Sequence, residues 1–323
     1  MAGAYPDVGD VHVNAPLTNI GIGYLNKLTD YAADRVFPLV GVDKQTDIYP
    51  VLDRGYGFAD EGTGLLRAPL TEPVRIGYKI TNTNTYFCPN FALAVAISDE
   101  LKGNADPVFD LDRIGLELAT HVLAIQRERA FAADFMVTGV WNTTTSVTNK
   151  WNDYGLSDPI TDLRDAIART KDAGGYNPNK TVMGEIVWRR IQDHPDFVER
   201  IKGAASPMNP AIVQKQLFAA VLGLEEVIVS EAVYRSSAEG ATLTLARIID
   251  DDLLLVYTPP GPAKWVPAAG YTFYWKPLTG GGIQYVRRYR DDKLRGDFIE
   301  VNTYYDQVAT VTQSGELFLD VVD

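Results

Sequence analysis

Apolar residues recur at helical spacing over one unusually long stretch of this 323-residue chain and at every second position over several shorter ones. The long stretch covers residues 107–137. Val108, Leu111, Ile114, Leu118, Val122 and Ile125 form a stripe three and four apart, continued by Ala132 and Phe135. Asp112, Arg113, Glu117, Arg127 and Glu128 fall on the opposite side. Asp106 reads as an N-cap and Pro107 as a first-turn residue, while Gly139 and the polar run 142–146 end the pattern. At ~1.5 Å per residue such a helix extends roughly 45 Å. It lacks sustained heptads, so the pattern predicts a spine laid across a sheet with the stripe facing inward, not a coiled coil.

The helix is preceded by a long excursion over residues 46–93. Thr46-Asp47-Ile48-Tyr49-Pro50-Val51-Leu52 has strand composition, and its proline suits an edge. A tip follows with Gly55, Gly57, Gly62, Gly64, Pro69 and Pro73, and with the charges Arg54, Asp60, Glu61, Arg67 and Glu72. The return alternates, with Val74, Ile76, Tyr78 and Ile80 on one face and Arg75, Lys79 and Thr81 on the other. A fifteen-residue ribbon would span roughly 50 Å and, isolated in water, would be marginal. It needs something to lie on. Upstream, the first twenty residues read as an extended arm, with a short helix over 22–31 and an extended segment over 36–40.

The second half alternates helices and strands in unequal blocks. Asp158-Pro159 opens a helix that runs to Gly174-Gly175, 181–183 is a strand, and 185–192 is a helix that breaks at Pro195. Asn209-Pro210 opens another helix, stopped by Gly223. Strands follow over 226–233, 243–249, 253–257, 271–276, 282–289, 298–311 and 316–322. A proline-stiffened loop, 259–270, carries Trp265. The class is α+β.

Composition narrows the function. Thirty basic against 42 acidic residues give a net charge of −12, which argues against bulk nucleic-acid binding. The single cysteine, Cys88, excludes intramolecular disulfides and reads as a small buried hydrophobe. The N-terminus lacks the regions of a secretory signal and no run suits a membrane span, so the chain is expected to be cytosolic when made. His12, His121 and His194 are dispersed, with no HExxH pattern, no G-x-S-x-G elbow and no phosphate-binding glycine motif. A Ser-His-Asp arrangement assembled by the fold stays open. Asp250-Asp251-Asp252 reads as a solvated turn, and Arg287, Arg288 and Arg290 as ion-pairing residues offset by Asp291 and Asp292. No catalytic, cofactor or metal site emerges, and the expectation is that the chain is not an enzyme.

The order of elements is an arm, a long two-stranded excursion, a spine helix, a mixed block and a final strand set. It resembles the major capsid proteins of tailed double-stranded DNA phages, the Hong Kong 97 type fold. The segment Ala33-Asp34-Arg35-Val36-Phe37-Pro38 is similar to the arm before the excursion in such proteins, and 301–317, with Asp306-Gln307-Val308-Ala309, to their terminal strands. The resemblance implies an N-arm over 1–45 and an extended loop (E-loop) over 46–93. It implies a peripheral domain over 94–154 rejoined by 291–323, and an axial domain over 155–290 whose Trp265 loop approaches the five- and sixfold axes. It implies self-assembly into hexamers and pentamers of an icosahedral virion head around double-stranded DNA, with loose DNA contact and no membrane. Subunit contacts would use Arg54, Asp60, Glu61, Arg67, Glu72 and Trp265. No charged helical segment precedes the arm, so a separate scaffolding protein or none is expected, beside a portal and decoration protein. Lys44 and Lys79 lie near the loop but not at its tip, so the crosslinking chemistry of some members is not carried over. Two alternatives stay open: an encapsulin-type compartment shell, and an α+β hydrolase or carbohydrate-binding protein.

Overall fold

A computed structural model describes residues 26–52, 66–73, 75, 77–105, 110–202, 214–262, 266–279 and 282–323. A 3-10 turn at Leu28–Asp30 leads into α1 (Ala33–Val36), β1 (Leu39–Val42) and the ribbon strands β2 (Thr46–Leu52) and β3 (Ile80–Phe87). Then come β4 (Asn90–Ser98), α2 (Asp99–Asn104), the spine helix α3 (Leu111–Phe135) and β5 (Thr143–Ser146). The middle block holds α4 (Pro159–Gly174), β6 (Lys180–Gly184), α5 (Glu185–Asp193), α6 (Pro195–Lys202), α7 (Lys215–Leu222) and β7 (Glu226–Ser230). The chain closes through β8 (Val233–Arg235), β9 (Leu245–Arg247), β10 (Leu253–Val256), β11 (Gly270–Trp275), α8 (Lys276–Thr279), β12 (Gln284–Asp291), β13 (Gly296–Ala309) and β14 (Gly315–Leu319).

Two five-stranded sheets organise the chain. In one, β13 is the hub: β12 and β4 flank its first half, residues 296–304, and β11 pairs with its second, residues 305–309, with β1 beyond β11. The other runs β5-β14-β10-β6-β7. Pairing therefore cuts across the expected boundaries. Residues 270–291 join β13, and 315–319 join β5 and β10.

The second sheet is buried on both faces, which is why β10 reads Leu253-Leu254-Leu255-Val256 without alternation. Leu253 and Leu255 pack with Trp151, Leu163, Trp188, Phe197 and Phe218 beneath the middle-block helices. Leu254 and Val256 pack with Phe37, Phe131, Phe135 and Trp141, where the end of the spine helix meets the arm. Helix α4 follows its sequence signals. The Asp158 side chain accepts from the Thr161 N–H, Pro159 takes the first turn, and Gly175, at φ 84°, is the left-handed cap. Pro195 ends α5 as expected but at once opens α6, because proline suits a first turn.

Candidate assembly surface

The root of the excursion is bolted to its own sheet. Tyr86 stacks on Phe273 of β11 with ring centroids 4.7 Å apart, and Tyr49 stacks on the same ring at 5.7 Å. The Phe87 N–H donates to the Asp306 carboxylate at 2.9 Å. Beneath them Cys88 is fully buried against the Phe273 carbonyl, and burial pushes its thiol up to about 12. It is therefore a packing residue with no thiolate to offer.

At the root and along it the ribbon also turns apolar side chains to solvent. Ile48 is 52% exposed and Phe87 55%. β2 matches its expected bounds, with an irregularity beside Pro50. The return strand does not. Among the described residues pairing begins only at Ile80, with Arg75, Tyr78 and Lys79 outside it, so the described paired ribbon is about half the expected length. Of the tip residues, Arg67 donates to the Thr71 carbonyl and Glu72 pairs with Arg75 at 3.3 Å, both partners of that pair being 84% exposed. Such pairs are worth little to the fold. Arg54, Asp60, Glu61 and Trp265 lie outside the described residues.

The spine helix turns the middle of its expected apolar stripe outward, while Leu111, Ile125, Ala132 and Phe135 pack inward as expected. It begins at Leu111, capped by Asp110, whose carboxylate accepts from the Arg113 N–H; Asp106, Pro107 and Val108 lie outside the described residues. Ile114, Leu118 and Val122, expected to face the core, are 50%, 47% and 42% exposed. The face that meets the sheet is Gly115, Ala119 and Leu123. The reason is close approach. A Cβ added at Gly115 would lie 3.3 Å from Val95 Cγ1, so small residues let the helix settle on β4 and β13 while the larger aliphatics are left outside.

The second correction concerns Arg127 and Glu128, expected on the solvent side. Both are buried. The Glu128 carboxylate accepts from the N–H groups of Ala32 (2.9 Å) and Ala33 (2.8 Å) and from the Ser230 hydroxyl (2.7 Å). Burial raises its pKa against these bonds, which favour the charged form. Arg127 pairs with Asp34. Together they pin the arm segment 31–37 to the spine, and Phe37 then packs against Phe131 and Phe135 at centroid distances of 5.8 and 5.0 Å. Every partner lies about ninety or more residues away, so no local periodicity could reveal the clasp.

The basic cluster pairs more widely than expected. Arg288 bridges Asp112 of the spine and Asp297, both at 3.0 Å, and Arg290 reaches Asp99 (2.7 Å) as well as Asp292. Arg287 sits over the Tyr289 ring. The acidic turn is not simply solvated. Asp252 accepts the Asp320 N–H at 2.9 Å, and burial, reinforced by Asp251, Asp320 and Asp250, pushes it up to about 6.

Among the described residues the fold brings together a Ser-His-Asp trio. Asp196 sets both its backbone N–H (3.3 Å) and its carboxylate (3.5 Å) against His194 Nδ1, and Nε2 lies 3.0 Å from Ser157 Oγ. The Ser157 hydroxyl spends its own proton on the Asp153 carbonyl at 2.7 Å. His194 is fully buried, and desolvation lowers its pKa, so it stays neutral and braces the start of α6. Among the described residues no group of three or more His, Cys, Asp or Glu converges to hold a metal ion, and no helix is long and apolar enough to cross a membrane.

No protein-family model matches the chain. It is 24% identical over 273 residues to the major capsid protein of Burkholderia phage BcepMu, covering 80% of this chain and 82% of that one. Among solved structures, a phage-related protein from Bordetella bronchiseptica superposes with a TM-score of 0.69 at 19% identity, over 92% of this chain and 94% of that one. The capsid of cyanophage P-SCSP1u gives 0.62 at 11% identity, over 98% and 95%. The SrpI encapsulin of Synechococcus elongatus gives 0.56 at 11% identity, over 99% and 96%. The ribbon, the spine helix across a β-sheet and the doubly covered second sheet are thus the parts of one architecture, and the chain has the capsid fold of the Hong Kong 97 type.

Proposed function

We propose that this chain is a structural major capsid protein, which assembles through copies of itself into the hexamers and pentamers of an icosahedral phage head enclosing double-stranded DNA. One observation carries the reading beyond likeness. The subunit leaves apolar side chains uncovered along both long elements, Ile48 and Phe87 on the ribbon and Ile114, Leu118 and Val122 on the spine. A solitary soluble protein has no use for such rows.

In this reading the role is mechanical, not enzymatic. The ribbon and its tip, with Arg54, Asp60, Glu61, Arg67 and Glu72, lie on the adjacent subunit, and the loop bearing Trp265 lies near the local symmetry axes. The β13-centred sheet with the spine forms the peripheral region, and the middle block forms the axial region. Each contact is weak, and their number closes the lattice. The acidic chain touches packaged DNA loosely and nonspecifically. A separate scaffolding protein, a portal and a decoration protein are its expected partners, and the virion is its destination.

Negative-stain imaging of the purified chain tests this: closed shells tens of nanometres wide are expected, and a homogeneous monomer under all assembly conditions would reject it. Deleting 54–72 should leave soluble subunits without shells. A second reading, an encapsulin-type compartment, draws on the likeness to SrpI. A cargo-enzyme terminal peptide that binds inside the shells would favour it, and shells formed around DNA in infected cells would exclude it.

A further inference from the structure

The arm is fastened to the body by two unlike devices. Residues 32–34 are held by charged side chains, through Glu128 and Arg127 of the spine. Residues 26–31 are held by neutral ones. The Asn26 amide donates to the Val233 carbonyl at 2.9 Å and to the Tyr31 hydroxyl at 3.4 Å. That hydroxyl lies 3.1 Å from Nδ1 of His121, on the spine about two turns before Glu128. The two rings meet edge to face, with centroids 6.3 Å apart. The Glu231 N–H donates to the Asp30 carbonyl at 3.1 Å and ties the same turn to the middle block. His121 has no part in the shell contacts proposed above.

The Tyr31 contact depends on the charge state of the imidazole. A neutral ring can take the Tyr31 proton at Nδ1, whereas an imidazolium carries hydrogen on both nitrogens and cannot. Protonation sets donor against donor. The Tyr31 oxygen would then face His121 as well as Asn26, and its own proton would lose its acceptor in a site that Ala124 and Ala232 help to close to water. Burial lowers the His121 pKa in the same sense. Among the described residues no charged side chain offsets this at the ring. Asp30 of the arm, and Arg127 and Glu128 of the spine, act on Tyr31. Glu117, one turn earlier on the spine, is taken up by Arg113, Glu231 pairs with Lys215, and Arg129 sits over the Tyr234 ring.

The two devices therefore answer acid with opposite sign. A histidine with a lowered folded pKa contributes stability that is complete above its ordinary value of about 6.5 and is lost as pH falls below it. Glu128, raised by burial, holds its proton more tightly in the folded state, so its contribution grows as pH falls. We propose that Tyr31 and His121 form an acid-released catch on the arm, closed at neutral pH and opened by protonation of His121, which frees 26–31 while the Glu128 clasp keeps 32–37 in place. The catch belongs to the single subunit and does not depend on the shell reading. It sits where residues 1–25 join the body, so pH decides whether that segment starts from a fixed anchor.

Hydrogen–deuterium exchange of the full chain, compared at neutral and mildly acidic pH after correction for intrinsic exchange rates, tests it. Exchange at 27–31 and at Glu231 should rise at least about threefold in acid, within the limit of about tenfold per pH unit that uptake of one proton on opening allows. Residues 32–37 and 253–256 should be unchanged or slower, and an equal rise there would overturn the catch in favour of global loosening. His121→Asn offers an amide oxygen that accepts from Tyr31 at either pH, so it should remove the acid response. The Asp30 carboxylate, which takes the Lys27 N–H, is the competing acid-sensitive group. A response that survives in His121→Asn would belong to it and overturn the proposal. Tyr31→Phe keeps the ring and removes the hydroxyl that holds the neutral imidazole. The His121 ring, followed by NMR, should then titrate at a higher pH than in the unmodified chain. A midpoint that Tyr31→Phe leaves unmoved would make the contact mere packing and overturn the catch.

Discussion

The doubly covered sheet and the ribbon–spine surface are built from the same residue types to opposite ends. In the sheet, Leu253 to Val256 are completely buried between two aromatic layers supplied by the chain itself. Along the ribbon and spine, isoleucine, leucine, valine and phenylalanine of equal hydrophobicity stay half exposed, beside tyrosines and glycines that hold those elements firmly in place. The difference is one of ownership. The first set completes a subunit, and in the proposed shell the second is a core cut in half, to be completed by a neighbour.

That contrast breaks first at Leu254. Leu254→Ala should cost the dispersed subunit about 2–5 kcal/mol in chemical denaturation, because the sheet cannot collapse around the cavity. Leu118→Asp is the counterpart. It should change subunit stability by no more than about 0.5 kcal/mol, since the site is already wet. It should also lower the fraction sedimenting as shells at least tenfold. A subunit that unfolds as readily in Leu118→Asp as in Leu254→Ala would erase the distinction.

The clasp between spine and arm sharpens it. Glu128→Ala strands two backbone N–H groups and the Ser230 hydroxyl, and should cost about 2–3 kcal/mol. Glu128→Gln, which keeps an acceptor, should cost less. Hydrogen exchange at 32–37 should rise in both, more in the alanine variant, with 253–256 unchanged. Exchange that rises equally everywhere would make Glu128 a global core residue and not an arm clasp.

The smallest effect is a pH dependence at the acidic turn. Asp252 is raised to about 6 when folded, above its unfolded value. The folded state therefore holds that proton more tightly, and stability linked to this group grows as pH falls from about 7 towards 4. Asp252→Asn removes the term and keeps an acceptor for the Asp320 N–H. The variant should be more stable than the unmodified chain at pH 8, on the order of 1 kcal/mol after allowance for solvent screening. The gap should close by pH 4–5. Thermal melts across that range check it, and a gap that widens towards acid would reverse the assignment.

Periodicity and capping signals made much of the fold legible. Asp158-Pro159 and Gly175 bound α4, Thr46 to Leu52 is β2, and the spine helix was evident from its length. The facing of that helix was not legible. A hydrophobic stripe says that something apolar will cover it, without saying whose residues those are. Ile114, Leu118 and Val122 outweigh Gly115 and Ala119 on any hydrophobicity scale, yet the small residues win the inner face because they permit close contact with Val95 and Ile299. The clasp was hidden for a different reason: Arg127 and Glu128 look like solvent residues until Asp34, Ala32, Ala33 and Ser230 are brought to them by tertiary contacts. Of the site, the excursion as an exposed element was readable, and the absence of strand pairing at 77–79 was not, since alternation does not itself supply a partner.

The most direct test of ownership is a cryo-electron microscopy map of the assembled chain at side-chain resolution. The account predicts Ile48, Phe87, Ile114, Leu118 and Val122 buried at contacts between copies, with the sheet around Leu254 as it is in the single subunit. A shell in which those five side chains remain in solvent would contradict it.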